Sequence, residues 1–281
     1  MKMHKLFLSL TLLTWLAVTV IVTTEAFANQ KGWTSRPAIP ELARTPEEET
    51  QADSKKKEKW DPIRFLSQSS KFVSFPKPPL PGMNRPIQVS PGEVVWSSSN
   101  ISTTSRGKLR KFQFAPLDDV VMGGVSSSTF QDGTWSGTVS DSNSGGFVGI
   151  RSTPFANPLD MSNCQGIELK MKGCQDKVFK AVLRDSTDFN GICWTAAFGG
   201  KPKSGLNSFG GSGRDAERTV RIQFKDLIPT IFARTVPGQN LNKRTIEGFQ
   251  IAFSKFLFDG ELNEGFSLGD FELELLEVKA Y

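Results

Sequence analysis

Eight short runs between Gly133 and Val278 constrain this chain more than any other feature: GTWSGTVS, GGFVGIRS, GIELKMKG, KVFKAVLRD, GICWTAAFG, RTVRIQFKD, EGFQIAFS and GDFELELLEV. In several of them apolar side chains fall on every second residue, as in Ile167/Leu169/Met171, Val220/Ile222/Phe224 and Phe271/Leu273/Leu275. A period of two puts those side chains on one face of an extended strand, whereas a helix needs spacings of three and four. No long stretch has helical periodicity, which argues against parallel α/β layering. Many short strands divided by turn residues predict an all-β fold, an antiparallel β-sandwich of the jelly-roll kind. Phe and Trp on the inner faces would fill the layer between its sheets. The 22 Phe and 25 Gly of the chain suit that class.

The strand pattern begins near Val94, so the domain is expected over residues 94–281. Ahead of it, residues 27–93 read as a transit-like segment and an extended linker. EEETQADSKKKEK is a mixed charge run and FPKPPLPGMNRP has polyproline character. Such composition buries too little apolar surface to offset its ordering entropy, and disorder is the expectation. Residues 1–26 read as a signal peptide. Lys2 and Lys5 precede an apolar run from Leu6 to Val22, and the small residues Ala26 and Ala28 follow. A membrane anchor is the rival, diluted by Thr11, Thr14 and Thr19. Cleavage after Ala26 would leave Phe27 ahead of a basic stretch with Lys31, Arg36 and Arg44. That arrangement resembles the two-part leader of secondary plastids, and ordinary secretion is the alternative address.

Charge and rare residues narrow the function. Residues 1–116 carry 17 Lys/Arg against 9 Asp/Glu, and residues 117–281 carry 17 against 20. The basicity therefore belongs to the leader and linker, and nucleic-acid binding by the fold itself is not favoured. The one histidine, His4, lies in the leader. A mature chain without it has no Ser-His-Asp or Cys-His catalysis, no histidine acid–base chemistry and no histidine-ligated zinc. Cys164, Cys174 and Cys193 are odd in number and lack C-x-x-C spacing, so buried free thiols are expected.

The stretch DDVVMGGVSSS, Asp118 to Ser128, gathers the most suggestive chemistry: Asp118, Asp119, Met122, Gly123, Gly124, Ser126 and Ser127. It lacks the spacing of a phosphate-binding loop. Neighbouring acids on a strand point to opposite faces, so Asp118 and Asp119 make a poor catalytic or metal-binding pair. The Gly-rich stretch from Gly199 to Asp215 matches no phosphate-binding spacing either and reads as a surface loop. Trp135 and Trp194 could be exposed sugar platforms or core residues.

The same stretch resembles the signature of the complex I intermediate-associated protein 30 family, Asn-Asp-Gly-Val-Met-Gly-Gly-Val-Ser, with Asp118–Asp119–Val120 standing for Asn-Asp-Gly. The likeness continues through NSGGFVGIRS, LDMSNCQGIELKMKG, VRIQFKDLIPTIFART and the segment from Thr245 to Tyr281, over roughly residues 110–281. SKFLFDGELN and the closing Ala280–Tyr281 look more like plastid and cyanobacterial members. The resemblance implies a galactose-binding-like jelly roll without catalysis or cofactor. It also implies an assembly factor whose partners are subunits or intermediates of a membrane complex, with peripheral membrane association. Mitochondrial members help build NADH:ubiquinone oxidoreductase, and some plastid relatives act in photosystem II biogenesis, including mRNA translation. Those plastid relatives often carry a dinucleotide-binding domain; its fingerprint is not found in this sequence, which counts against a nicotinamide-linked role. A carbohydrate-binding module in the secretory pathway and a plastid RNA-binding factor are the alternative functions. On the leading reading, Asp118 to Ser128 shapes a turn on a partner-binding face.

Overall fold

A computed structural model describes residues 61–72, 85–99, 112–188, 190–200 and 216–281. The leader, the polyproline stretch and residues 201–215 of the Gly-rich stretch lie outside the described residues. Among the described residues one helix, α1 (Pro62–Ser70), precedes the strands β1 (Ile87–Gln88), β2 (Val94–Ser97), β3 (Phe114–Pro116), β4 (Ser127–Gln131) and β5 (Thr134–Val139). Then come β6 (Phe147–Ser152), β7 (Leu159–Asp160), β8 (Gly166–Lys172), β9 (Val178–Arg184) and β10 (Cys193–Gly199). The last five are β11 (Arg218–Gln223), β12 (Ile228–Ile231), β13 (Arg234–Thr235), β14 (Gly248–Ser254) and β15 (Gly269–Ala280).

Two antiparallel sheets face each other, as the alternation predicts. One runs β13-β12-β10-β9-β14-β6-β3 and the other β11-β8-β15-β5-β4, with β2 added beside the end of β15. A small parallel pair, β1 with β7, stands apart. Each of the eight alternating runs contributes a strand, and their apolar sets meet in one core. β9 supplies Phe179, Ala181 and Leu183, and β14 supplies Phe249, Ile251 and Phe253. β15 shows how register serves burial. Phe271, Leu273 and Leu275 point inward, then a bulge between Leu275 and Glu277 shifts the phase, so Val278 and Ala280 also reach the core.

Aromatic rings thicken the layer between the sheets. Trp135 meets Phe271 edge-on with centroids 4.9 Å apart, and Phe179 meets Phe253 at 5.2 Å. Such contacts add about 0.5–1.5 kcal/mol each beyond area burial. Trp135 and Trp194 are 0% and 5% exposed, so neither is a sugar platform.

The segment expected to be linker is partly folded. Asp61 caps α1 by accepting the Ile63 and Arg64 N–H groups, both at 3.0 Å, and Pro62 suits the first turn. Phe72 and Val89 are buried at 2% and 0% exposure. The folded unit therefore starts well before Val94, because these residues bury against the sandwich instead of standing in solvent. Among the described residues no helix is long and apolar enough to cross a membrane.

Candidate functional site

The signature stretch turns the chain between β3 and β4. Asp118 ends the extended approach and Asp119–Met122 make one 3-10 turn, closed by Gly123 at φ 91°. That left-handed angle suits glycine. The expected strand geometry for the two acids does not occur, yet their side chains still part into separate niches. Both carboxylates are fully buried.

Asp119 is held by the sandwich itself. Its Oδ1 accepts the Ser126 N–H at 2.9 Å. Its Oδ2 accepts the Ser126 hydroxyl at 2.7 Å, the Gly146 N–H at 2.9 Å and the Phe147 N–H at 3.3 Å. Ser126 Oγ in turn accepts the Ser140 N–H at 3.0 Å. Two glycines make the niche possible. A Cβ on Gly124 would sit 2.3 Å from Asp119 Cγ, and one on Gly145 would sit 2.5 Å from Asp119 Oδ2. Gly124 thus needs no unusual backbone; it needs the absence of a side chain.

Asp118 is held largely from α1. Its Oδ2 accepts from Arg64 Nη2, Gln68 Nε2 and the Ser128 N–H, each at 2.9 Å. Its Oδ1 accepts the Ser128 hydroxyl at 2.5 Å. The Asp118 N–H returns a bond to Gln68 Oε1 at 2.9 Å, and Arg64 Nη2 also reaches Ser126 O at 2.7 Å. Burial pushes the Asp118 carboxyl above the usual range, against the opposing pull of Ser128, Gln68 and the Arg64 charge.

The structure therefore brings Asp118, Asp119, Gly124 and Ser126 together, facing inward, and leaves Met122 (52% exposed) and Ser127 outside. The signature builds the turn instead of lining an open pocket. Sequence reasoning missed Arg64, Gln68, Ser128, Gly145 and Gly146. Asp61–Pro62 was an available signal for a helix start, but nothing local connects Arg64 with an aspartate 54 residues away.

Basic side chains are also buried on the outer face of the seven-stranded sheet: Arg151 near Arg184, and, separately, Lys180. Burial, and next the charge of Arg184, bring Arg151 down to about 9, and the Phe72 ring lies 5.5 Å from its guanidinium. Burial brings Lys180 to about 8, with Nζ donating to Phe256 O at 2.8 Å and Leu257 O at 3.3 Å. Arg184 donates to Cys193 Sγ at 2.7 Å, but burial still pushes that thiol up, so it is a poor nucleophile. All three cysteines are free thiols. Among the described residues no group of three or more His, Cys, Asp or Glu could hold a metal ion.

Comparison with known proteins places these elements. The family described as complex I intermediate-associated protein 30 matches residues 103–275, more than half of the chain. No curated protein sequence matches. Two solved structures of the family 11 carbohydrate-binding module of Clostridium thermocellum are similar at 13% identity. The module of the cellulosomal cellulase Lic26A-Cel5E aligns over 65% of this chain and 94% of its own, with a TM-score of 0.37. The module in complex with a β-1,3-1,4-mixed-linked tetrasaccharide aligns over 60% and 87%, with a TM-score of 0.35.

Proposed function

The chain belongs to the complex I intermediate-associated protein 30 family, and from that premise we propose that it is a non-catalytic assembly factor. Its clients are partly assembled forms of a membrane energy-transducing complex, of the NADH dehydrogenase type or a photosystem. One observation carries the reading beyond the family name: both signature carboxylates are spent on internal hydrogen bonds, so the motif has no reactive group to offer a substrate. The same region also presents large apolar side chains outward. Met122 on the 3-10 turn and Ile63 and Leu66 on the adjacent α1 are 52%, 78% and 44% exposed. Large exposed apolar side chains suit recognition of protein surface more than of a small polar molecule.

The test is co-purification. A tagged chain isolated from gently solubilised organelles should bring subunits of one membrane complex with it in substoichiometric, assembly-stage form. Recovery only as a free chain would overturn the proposal. The address is proposed to be the plastid, on the strength of Phe27 and the basic stretch behind the apolar leader. Phe27→Ala should leave entry into the secretory pathway intact and abolish plastid delivery of a fluorescent fusion; unchanged delivery would remove the argument.

A further inference from the structure

The attachment of α1 has the marks of a removable part. Arg64 and Gln68 lie one turn apart on α1 and, with Phe72 two residues beyond its end, face the sandwich. The first two bond Asp118 and Ser126 O, and the third joins Ala115 and Leu117 in a small apolar cluster separate from the main core. The helix has nine residues, short of the roughly 12–15 at which a helix begins to persist alone in water. Its opposite side exposes Ile63 and Leu66. Asp119, by contrast, draws its partners from the sandwich, so the turn beneath keeps one complete niche whether or not α1 is in place.

We propose that α1 is an exchangeable occupant of the Asp118 groove, and that a short helix of a protein partner presenting Arg and Gln four residues apart, with an aromatic residue just past its end, takes its place. The groove specifies that chemistry. A carboxylate oxygen and a carbonyl oxygen sit side by side for one guanidinium, a carboxylate and its own N–H face one side-chain amide, and Ala115 and Leu117 receive a ring. The identity of the partner as an assembly intermediate rests on the proposed function; the exchange itself does not. Displacing α1 would also change the setting of the exposed residues Ile63 and Leu66 beside Met122, so partner binding and α1 release are coupled.

The experiment uses the full chain and a fluorescent synthetic peptide with the sequence of residues 61–72. The wild-type chain should bind the peptide weakly, because its own helix occupies the groove. The Arg64→Ala/Gln68→Ala chain should bind about tenfold more tightly, by the fraction of groove that docking withholds. Ser67→Pro, which breaks α1 at an exposed position without touching the groove, should do the same and guards against misfolding of the first variant. A peptide carrying both alanines should lose binding to every chain. Equal peptide affinity in the wild type and the Ser67→Pro chain would overturn the proposal, as would hydrogen exchange in α1 as slow as in β14. Failure to co-purify a membrane complex would remove the proposed function while leaving this peptide result standing.

Discussion

Asp118 and Asp119 are neighbours with the same complete burial, yet different parts of the molecule hold them. The partners of Asp119 lie 7 to 28 residues further along the chain, in the strands and turns of the sandwich. Those of Asp118 include Ser128, but also Gln68 and Arg64, 50 and 54 residues upstream on a short helix. One niche is closed by the fold, the other by an added element. Burial alone therefore does not say how permanent a buried charge's surroundings are; the source of its donors does.

The largest effect should come from emptying the closed niche. Asp119→Ala leaves three backbone N–H groups and one hydroxyl without their acceptor and should cost about 3–5 kcal/mol in urea unfolding. A loss below about 1 kcal/mol would show that the niche is not structural. Next, the two glycines of the signature should behave oppositely to their backbone angles. Gly123→Ala meets a positive φ but open space and should cost about 1–2 kcal/mol. Gly124→Ala has no such angle but collides with the Asp119 carboxyl and should cost about 2–4 kcal/mol. Reversal of that order would mean the carboxylate moves aside easily.

The open niche should respond more gently. Arg64→Ala removes one charge-assisted partner of Asp118 and should cost about 1–2 kcal/mol. Its effect should appear as faster hydrogen exchange confined to residues 61–72, whereas that of Asp119→Ala should spread through β4 and β6. The smallest effect is a pH dependence. Because the folded Asp118 holds its proton above the ordinary value of 3.8, its protonated form favours folding, and that stability is lost as pH rises through the folded value. The stability difference between wild type and Asp118→Asn should therefore shift against the wild type as pH climbs from about 4 toward neutrality. A flat difference would show that the Arg64 charge outweighs burial.

The legible elements share one property. β8, β9, β14 and β15 place core side chains at every second position, and that period is a local quantity a reader can count. β4, with Ser, Ser, Thr, Phe and Gln, has no such apolar alternation, and it is placed by pairing with β5. α1 escaped notice for a related reason. Its inward residues Arg64 and Gln68 are polar and its Ile63 and Leu66 are exposed, so it lacks the inward apolar face by which a surface helix is recognised. Of the candidate site, the turn was legible in Gly123 and Gly124, but the inward facing of Asp118, Asp119 and Ser126 was not. Trp135 and Trp194 were ambiguous in sequence, since an indole suits either a core or a binding face, and only the facing sheet buries them.

The amino-acid sequence by itself determined the strand periodicity, the sandwich class and the family signature, because these depend on spacing along the chain. The tertiary structure alone decided which signature groups are spent, which glycine needs its missing side chain, and that an upstream helix reaches Asp118. Those outcomes depend on which donors and atoms meet through space, across separations from a few residues for Gly124 and Asp119 to 50 or more for Gln68, Arg64 and Asp118. A carboxylate's proton affinity and hydrogen bonds follow its surroundings, and its neighbours in sequence supply only part of them.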